Sequence, residues 1–142
     1  MTRKILIATV FALTAAFAAP ASANQVNIGQ WGWLNAAGAA QVGNGNGIYG
    51  QQTGAFNSMT ASQFGNGNLY VGGQDGFANS ANAAQNGNWN SVGAAQFGAG
   101  HQFDAVQNGD GNISASVQMG VGCSAQTNQN GGGNVIAVVQ AC

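Results

Sequence analysis

Few side chains in this sequence belong to the classes that usually carry catalysis or bind metals. Beyond residue 10 they are Asp75, Asp104, Asp110, His101, Cys123 and Cys142. The aspartates are too few and too scattered for a repeated calcium site. No acid, base, nucleophile or metal ligand forms a pair in register with the repeat described below. We therefore expect no catalytic activity, no metal site, no cofactor and no small-molecule substrate.

The N-terminal segment has the three parts of a secretory signal peptide. Two basic residues come first, an apolar run follows over residues 5–19, and a small-x-small cleavage site ends at Ala23. The apolar run is shorter than the roughly 20 residues that a bilayer span requires. We predict a signal peptide over residues 1–23, cleaved after Ala23, and a mature domain over residues 24–142. We expect the mature domain to be secreted.

The predicted mature domain carries almost no charge. Both basic residues of the chain lie in the signal peptide, which leaves three aspartates and one histidine. Such a domain cannot neutralise phosphates, so we expect no nucleic-acid partner. Its low net charge also removes the repulsion that keeps β-rich chains apart, which favours association of the chain with itself.

An eleven-residue repeat fills residues 24–142, and each unit contains a glutamine. The glutamines are Gln30, Gln41, Gln52, Gln63, Gln74, Gln85, Gln96, Gln107, Gln118, Gln129 and Gln140. A glycine stands two residues after each of them, except that Cys142 takes this place in the last unit. Six residues before the glutamine stands an asparagine, with His101 and Cys123 as the two exceptions. The asparagines are Asn24, Asn35, Asn46, Asn57, Asn68, Asn79, Asn90, Asn112 and Asn134.

The repeat unit is N-x-Φ-x-small-x-Q-x-G followed by two linking residues, where Φ is in most units an apolar residue. This unit favours strands over helices. An eleven-residue period also occurs in right-handed coiled coils, but repeated glycine and the near absence of Leu, Glu and Lys disfavour a helix. The Asn, Φ, small, Gln and Gly positions of each unit lie two residues apart, which is the period of a strand. This spacing predicts nine-residue strands in which these five positions face inward. The linker Asn44-Gly45 has turn chemistry, whereas Trp33-Leu34 is a weak turn signal.

Strands joined by short linkers could form either a meander of hairpins or a solenoid. Hairpin pairing would place each glutamine opposite an apolar residue, which gives no reason for an invariant glutamine. Two units per turn instead place each glutamine about 4.8 Å from the glutamine two units away, where buried amides pair in continuous rows. We expect the asparagines to form similar rows. The sequence thus predicts an all-β solenoid of eleven strand-turn units, with about 22 residues per turn and two facing parallel in-register sheets.

The two cysteines and the histidine occupy repeat positions in this solenoid. Cys123 starts the tenth strand and Cys142 ends the eleventh, so the two side chains are expected to face each other. A disulfide between them would close a loop of about 20 residues and stabilise the fold by roughly 3 kcal/mol. The alternatives are two free thiols that act as small apolar fillers, or an intermolecular bridge. His101 replaces an asparagine and is expected to substitute for it in the row rather than to act in catalysis.

The repeat runs from the predicted cleavage site to the last residue without polar or irregular capping segments. Solenoids that remain monomeric usually carry such caps over their terminal strands. Open ends predict head-to-tail addition of further copies, and because this contact cannot close on itself it produces a fibre.

The spacing Q-x-G-x-x-N-x-A-x-x-x-Q resembles the curlin repeat of bacterial curli. Residues 30–41 and 74–85 match it at every fixed position, and the other units keep the glutamine, the glycine and usually the asparagine. The resemblance implies a secreted functional amyloid of the biofilm matrix, an extracellular adhesive fibre at the bacterial cell surface. It also implies a nucleator subunit and the outer-membrane export machinery as partners, besides the chain itself.

Two features bear on the role within such a fibre. Curli major subunits carry a glycine- and asparagine-rich export segment before the repeats, and none is visible here. Curli nucleators tend to carry basic residues in a terminal repeat, and none is present here, which favours a major subunit. A nucleator or minor subunit is the nearest alternative. A monomeric secreted solenoid that binds ice or glycan is the other, although its outward rows should be regular and the outward rows here are irregular.

Overall fold

The computed structural model describes residues 23–142. The predicted signal peptide over residues 1–23 lies outside the described residues, apart from Ala23, and stays a prediction. The described part of the chain is all β and contains no helix. Its strands are β1 (Gln25–Trp33), β2 (Ala36–Val42), β3 (Gly47–Ala55), β4 (Ser58–Phe64), β5 (Leu69–Phe77), β6 (Ser80–Asn86), β7 (Ser91–Ala99), β8 (Gln102–Asn108), β9 (Ile113–Val121), β10 (Ser124–Asn130) and β11 (Val135–Ala141).

The strands alternate between two parallel sheets. The odd-numbered strands form a six-stranded sheet in chain order, and the even-numbered strands form a five-stranded sheet. Every pairing is parallel and joins equivalent residues two units apart, as Gln30 with Gln52 in one sheet and Gln41 with Gln63 in the other. The predicted solenoid with two units per turn is confirmed. The hairpin meander is excluded, because it would require antiparallel pairs.

Strand length differs from the uniform nine residues that the repeat predicted. Strands β1, β3, β5, β7 and β9 have nine residues, whereas β11 and the even-numbered strands have seven. After β2 the chain bends, and the backbone N–H of Asn44 donates to Asn66 Oδ1. After the odd-numbered strands no asparagine stands at this position, and the pairing continues to Trp33 and Ala55.

Side chains of the Φ and small rows fill the narrow space between the sheets. The large residues Ile48, Met59, Tyr70 and Phe103 are almost completely buried. They fit because small residues stand beside them: a Cβ added at Gly72 would lie 2.5 Å from the Tyr70 hydroxyl oxygen. That hydroxyl has no hydrogen-bond partner within residues 23–142, and its burial raises the pKa of Tyr70, so the phenol stays protonated.

The glycine row does not face the core, so this part of the inward assignment was wrong. A Cβ added at Gly54 would point along the solenoid axis and meet the carbonyl oxygen of Gly76 at 2.0 Å. The φ angle of Gly54 is +106°, in the region that side chains other than glycine rarely adopt. Glycine is therefore required here by the close approach of successive turns and by its backbone conformation, and not by burial.

Each corner contains a second residue of positive φ, two residues after this glycine. Six corners use glycine there, but Leu34, Phe56, Ala78 and Trp89 adopt φ between 54° and 59°. A left-handed conformation costs a non-glycine residue about 1–2 kcal/mol. The net advantage of glycine at such a position is smaller, because glycine loses more conformational entropy on folding. The weak turn signals of the sequence thus mark corners of the same shape that carry local strain.

This strain can be measured at two equivalent corners. We expect Ala78→Gly to raise the free energy of unfolding by about 1 kcal/mol, because it removes a side chain from a left-handed residue. Gly100→Ala should lower the free energy of unfolding by a similar amount, because φ there is +68°. A Cβ at this position would meet no atom within 4 Å, so the change reports the left-handed conformation alone. Urea unfolding of both variants, followed by circular dichroism, measures the two changes. Equal stability of both variants and the parent would contradict left-handed strain at these corners.

The two lateral edges of the solenoid differ in polarity. The edge that follows the odd-numbered strands, here named the apolar edge, consists of Trp33-Leu34, Ala55-Phe56, Phe77-Ala78, Ala99-Gly100 and Val121-Gly122. Trp33 is 75% exposed, and the rings of Phe56 and Phe77 pack edge to face with centroids 5.2 Å apart. The opposite edge, here named the polar edge, consists of Asn44-Gly45, Asn66-Gly67, Asn88-Trp89, Asp110-Gly111 and Gly132-Gly133.

Candidate functional site

The glutamine side chains form two continuous rows along the solenoid. In the six-stranded sheet the row runs from Gln30 to Gln140, and in the five-stranded sheet from Gln41 to Gln129. Each Nε2 donates to the Oε1 of the glutamine 22 residues later, over 2.6–3.1 Å. All bonds point the same way, so each row has a donor end at the C-terminal side and an acceptor end at the N-terminal side.

The second N–H of each amide ties the two sheets together. Gln52 Nε2 donates to the carbonyl oxygen of Ala36, the first residue of the facing strand, over 3.0 Å. From Gln41 onward every glutamine of the rows makes this bond to the carbonyl 16 residues before it. A buried primary amide has two donors to satisfy, and this arrangement satisfies both. It explains why glutamine, rather than a shorter or apolar residue, occupies all eleven positions.

The asparagines bond differently from the rows that we expected. The Nδ2 of Asn24, Asn35, Asn46, Asn57, Asn68, Asn79, Asn90 and Asn112 donates to the carbonyl oxygen of the glycine 19 residues later, over 2.7–3.1 Å. The Oδ1 accepts the backbone N–H of the residue 22 later, as from Asn57 to Asn35. In this column only Asn112 and Asn134 also donate to another asparagine side chain. The shorter side chain reaches the backbone groups that each corner frees from the sheets.

A further row on the polar edge was missed in the sequence. Asn66 accepts the backbone N–H of Asn44, Asn88 accepts that of Asn66, and Asp110 accepts that of Asn88, over 2.7–3.0 Å. From the sequence we recognised only the turn chemistry of Asn44 and considered Asp110 as a candidate calcium ligand. The available signal was the spacing of the row by two repeat units, which places its members in one column, as it does the glutamines.

His101 stands in the asparagine column, as the repeat predicted. The residue is buried, its Nδ1 accepts the backbone N–H of Cys123 over 3.1 Å, and its Nε2 lies 3.1 Å from the carbonyl oxygen of Phe97. A carbonyl only accepts, so Nε2 donates this bond while Nδ1 accepts the other. The ring thus takes over the acceptor role of the asparagine Oδ1. Both ring nitrogens are occupied in this way, which favours a structural role over proton transfer.

Cys123 and Cys142 are joined by a disulfide, with Cα atoms 5.7 Å apart. Their separation of 19 residues is the spacing at which the asparagine Nδ2 bonds the glycine carbonyl at other corners. The bridge therefore replaces that hydrogen bond by a covalent one and fastens the end of β11 to the start of β10. Cys142 itself is exposed, like the terminal glycines of the row that it continues.

The contribution of the bridge can be tested against the hydrogen bond that it replaces. We expect Cys123→Ala with Cys142→Gly to lower the free energy of unfolding by about 3 kcal/mol, because a closed loop of this length constrains the unfolded chain. Cys123→Asn with Cys142→Gly restores the corner seen elsewhere and should recover about 1 kcal/mol of this loss. Urea unfolding measures both variants. Two thiols that titrate in the parent without reductant would contradict the bridge.

Both ends of the solenoid have open sheet edges within residues 23–142. Strands β1 and β2 are the first strands of their sheets, and β11 and β10 are the last. At the first end, the Oε1 of Gln30 and of Gln41 accepts no hydrogen bond from a described residue. At the last end, Gln129 and Gln140 donate only to the carbonyl oxygens of Ile113 and Ser124, which leaves one N–H of each amide.

The side chains considered for chemistry lie apart from one another. Asp75 and Asp110 are exposed, Asp104 is partly buried on the outer face, and among the described residues no three His, Cys, Asp or Glu residues cluster as metal ligands would. Likewise, no helix long and apolar enough to cross a membrane occurs in residues 23–142.

Comparison of the chain with protein-family models, curated proteins and solved structures yields no match.

Proposed function

We propose that this protein is the structural subunit of an extracellular curli-type amyloid fibre. Its copies would add head to tail through the open sheet edges. The observation that carries the proposal is the polarity of the glutamine rows, which present free amide acceptors at one end of the solenoid and free amide donors at the other. Each end thus offers the groups that the other end lacks, as a template for a further copy of the same chain requires.

The backbone and the core support the same proposal. Unpaired N–H and C=O groups of an edge strand readily pair with another chain unless charge, proline or a covering segment prevents it. No proline and no charged side chain lies in β1, β2, β10 or β11. Val26, in β1, is 50% exposed although the Φ residues of central turns, such as Val92, are buried. Addition of a copy would bury such residues and pair the edges together.

The resemblance to the curlin repeat supplies the setting of the proposal. We infer secretion after removal of residues 1–23, assembly at the bacterial cell surface and a role in adhesion and the biofilm matrix. A nucleator subunit and an outer-membrane export system would be the partners, with no catalytic activity. The absence of basic residues from the repeats favours a major subunit over a nucleator.

Incubation of purified residues 24–142 tests this function. We expect thioflavin fluorescence to rise with a lag that added fibre fragments abolish, and fibre diffraction to show a strong reflection at about 4.8 Å along the axis. A chain that remains a folded monomer at high concentration would overturn the proposal and favour a secreted binding protein. Fibres that form only when a second protein is added would retain the subunit role and place initiation in that protein.

A further inference from the structure

The two ends of the solenoid are stepped, because residues 23–142 form an odd number of strands. Both terminal strands, β1 and β11, belong to the six-stranded sheet. At each end this sheet extends one strand beyond the five-stranded sheet, which begins at β2 and ends at β10. A step of one strand corresponds to half a turn of the solenoid. Any second copy that docks on an end must fit this step.

A second copy that adds head to tail and in register can take two arrangements, which differ by half a turn about the axis. Without rotation, β1 of the next copy would pair with β11, six-stranded sheet upon six-stranded sheet. The next strand of the other sheet, β2, would then lie about 9.6 Å from β10, twice the spacing of paired strands, and a strand-wide slot would remain. The edge groups of β10 and β2 would stay unpaired beside the core, which is costly.

Rotation by half a turn removes the slot. The protruding β1 of the next copy then fills the recess above β10, and the protruding β11 meets the recessed β2. All four edge strands are paired, and the spacing of the repeat continues across the junction as if the chain were unbroken. The two sheets exchange roles at each junction, so that the six-stranded sheet of one copy is continued by the five-stranded sheet of the next.

We propose, on the basis of the fibre proposed above, that successive copies are related by a half-turn screw about the fibre axis. Each copy advances the fibre by about 26 Å, the height of eleven strands at two per turn and about 4.8 Å per turn. The rotation is half a turn plus the twist that the sheets accumulate over that height. The occupant of each solenoid end is therefore a second copy of this chain in one defined orientation.

The side-chain rows continue through this junction with the bonds that they make inside the molecule. Gln129 donates to Gln30 of the next copy, and Gln140 donates to Gln41 of the next copy. Asn134 Oδ1, which accepts no hydrogen bond from a described residue, accepts the backbone N–H of Asn35 of the next copy. Inside the molecule the equivalent bonds measure 2.6–3.1 Å. Without the rotation only one glutamine row would continue, because Gln30 would take the place next to Gln140.

The screw also determines what the flanks of the fibre present. Because the sheets exchange roles, the apolar edge of one copy is followed on the same flank by the polar edge of the next. Each flank therefore alternates between apolar and polar segments, each as tall as one copy, and the two flanks are equivalent. A fibre without the rotation would instead carry one continuous apolar flank with Trp33, Phe56 and Phe77 of every copy.

Cysteine pairs on the outer face distinguish the two arrangements. In the half-turn arrangement Asn27 of one copy lies beside Gln126 of its neighbour, whereas without rotation it lies beside Ala137. Paired residues of neighbouring strands are close enough for a disulfide. We expect oxidised fibres of Asn27→Cys with Gln126→Cys to give a ladder of covalent multimers on a non-reducing gel. Fibres of the control, Asn27→Cys with Ala137→Cys, should give monomers.

The reverse pattern would overturn the half-turn screw, and so would multimers from both variants. A helical reconstruction of fibres of the parent chain provides a second measurement that needs no substitution. We expect a rise equal to the height of one copy, about 26 Å, with a rotation of half a turn plus the twist that the sheets accumulate over that height. A rotation equal to that twist alone, without the half-turn, would refute the proposal. Failure of the fibre proposal is recognised separately, since the parent chain would then form no fibres to measure.

Discussion

Substitution of a central glutamine, Gln74→Leu, is expected to lower the free energy of unfolding by about 4 kcal/mol, because it leaves several buried polar groups without a partner. The change preserves much of the volume, but three hydrogen bonds are lost: the one that Gln52 Nε2 donates to Gln74, and the two that Gln74 donates to Gln96 Oε1 and to the carbonyl oxygen of Ser58. A buried polar group that loses its partner costs about 1–3 kcal/mol. Urea unfolding at low protein concentration, followed by circular dichroism, measures the loss.

Gln51→Leu is the matched control for this prediction. Gln51 lies on the outer face of β3, next to the buried Gln52 of the row, and its side chain is exposed. The same chemical change there should alter the free energy of unfolding by no more than about 0.5 kcal/mol. Similar losses in the two variants would show that the rows contribute no more than surface amides do. In fibre growth, Gln74→Leu is also expected to slow elongation, because a smaller fraction of the destabilised copies is folded.

The second large effect is expected from Gly76→Ala. A Cβ at this position would lie 1.9 Å from the carbonyl oxygen of Gly98, and φ is +128°. Neither the backbone of the next turn nor the corner can move without breaking the pairing of successive strands. We expect a loss of at least about 4 kcal/mol, enough to unfold a domain of ordinary stability. Circular dichroism of the purified chain shows whether the β signal persists.

Gly73→Ala, three residues earlier in the same strand, separates this clash from the general effect of alanine. A Cβ at Gly73 would meet no atom within 4 Å, and φ there is not positive. Alanine should leave the fold intact and raise the free energy of unfolding by up to about 1 kcal/mol, because it restricts the unfolded chain. Should Gly76→Ala prove as stable as Gly73→Ala, the close approach of the glycine column would be disproved.

The repeat determined the architecture because its constraints act on every unit in the same way. An invariant glutamine in every unit is costly in any fold that does not pair buried amides, and only the stacking of units two apart pairs all of them. The parallel sheets, their register and the buried Φ row follow from this single requirement. The positions of His101, Cys123 and Cys142 follow as well, since each takes the place of a regular member of the repeat.

The structure was needed wherever a residue's role depends on backbone direction at a corner. Period-two counting assigned the glycine row to the core, because counting assumes that the strand stays straight to its end. Positive φ at Gly54 and its equivalents turns this position along the axis instead. The same corners redirect the asparagine amides to glycine carbonyls, and they bring Asn44, Asn66, Asn88 and Asp110 into a row that no count of inward positions would reveal.

The sequence by itself determined that buried amides must stack and hence that the chain coils with two units per turn. Only the tertiary structure decided the direction of the amide bonds, the shape of the corners and the step at each end. The physical reason is the range of the interactions. The spacing of equivalent residues along the chain specifies which side chains meet, because each pairing repeats along the chain. The orientation of a bond or of a sheet end depends on how both sheets are placed together in space.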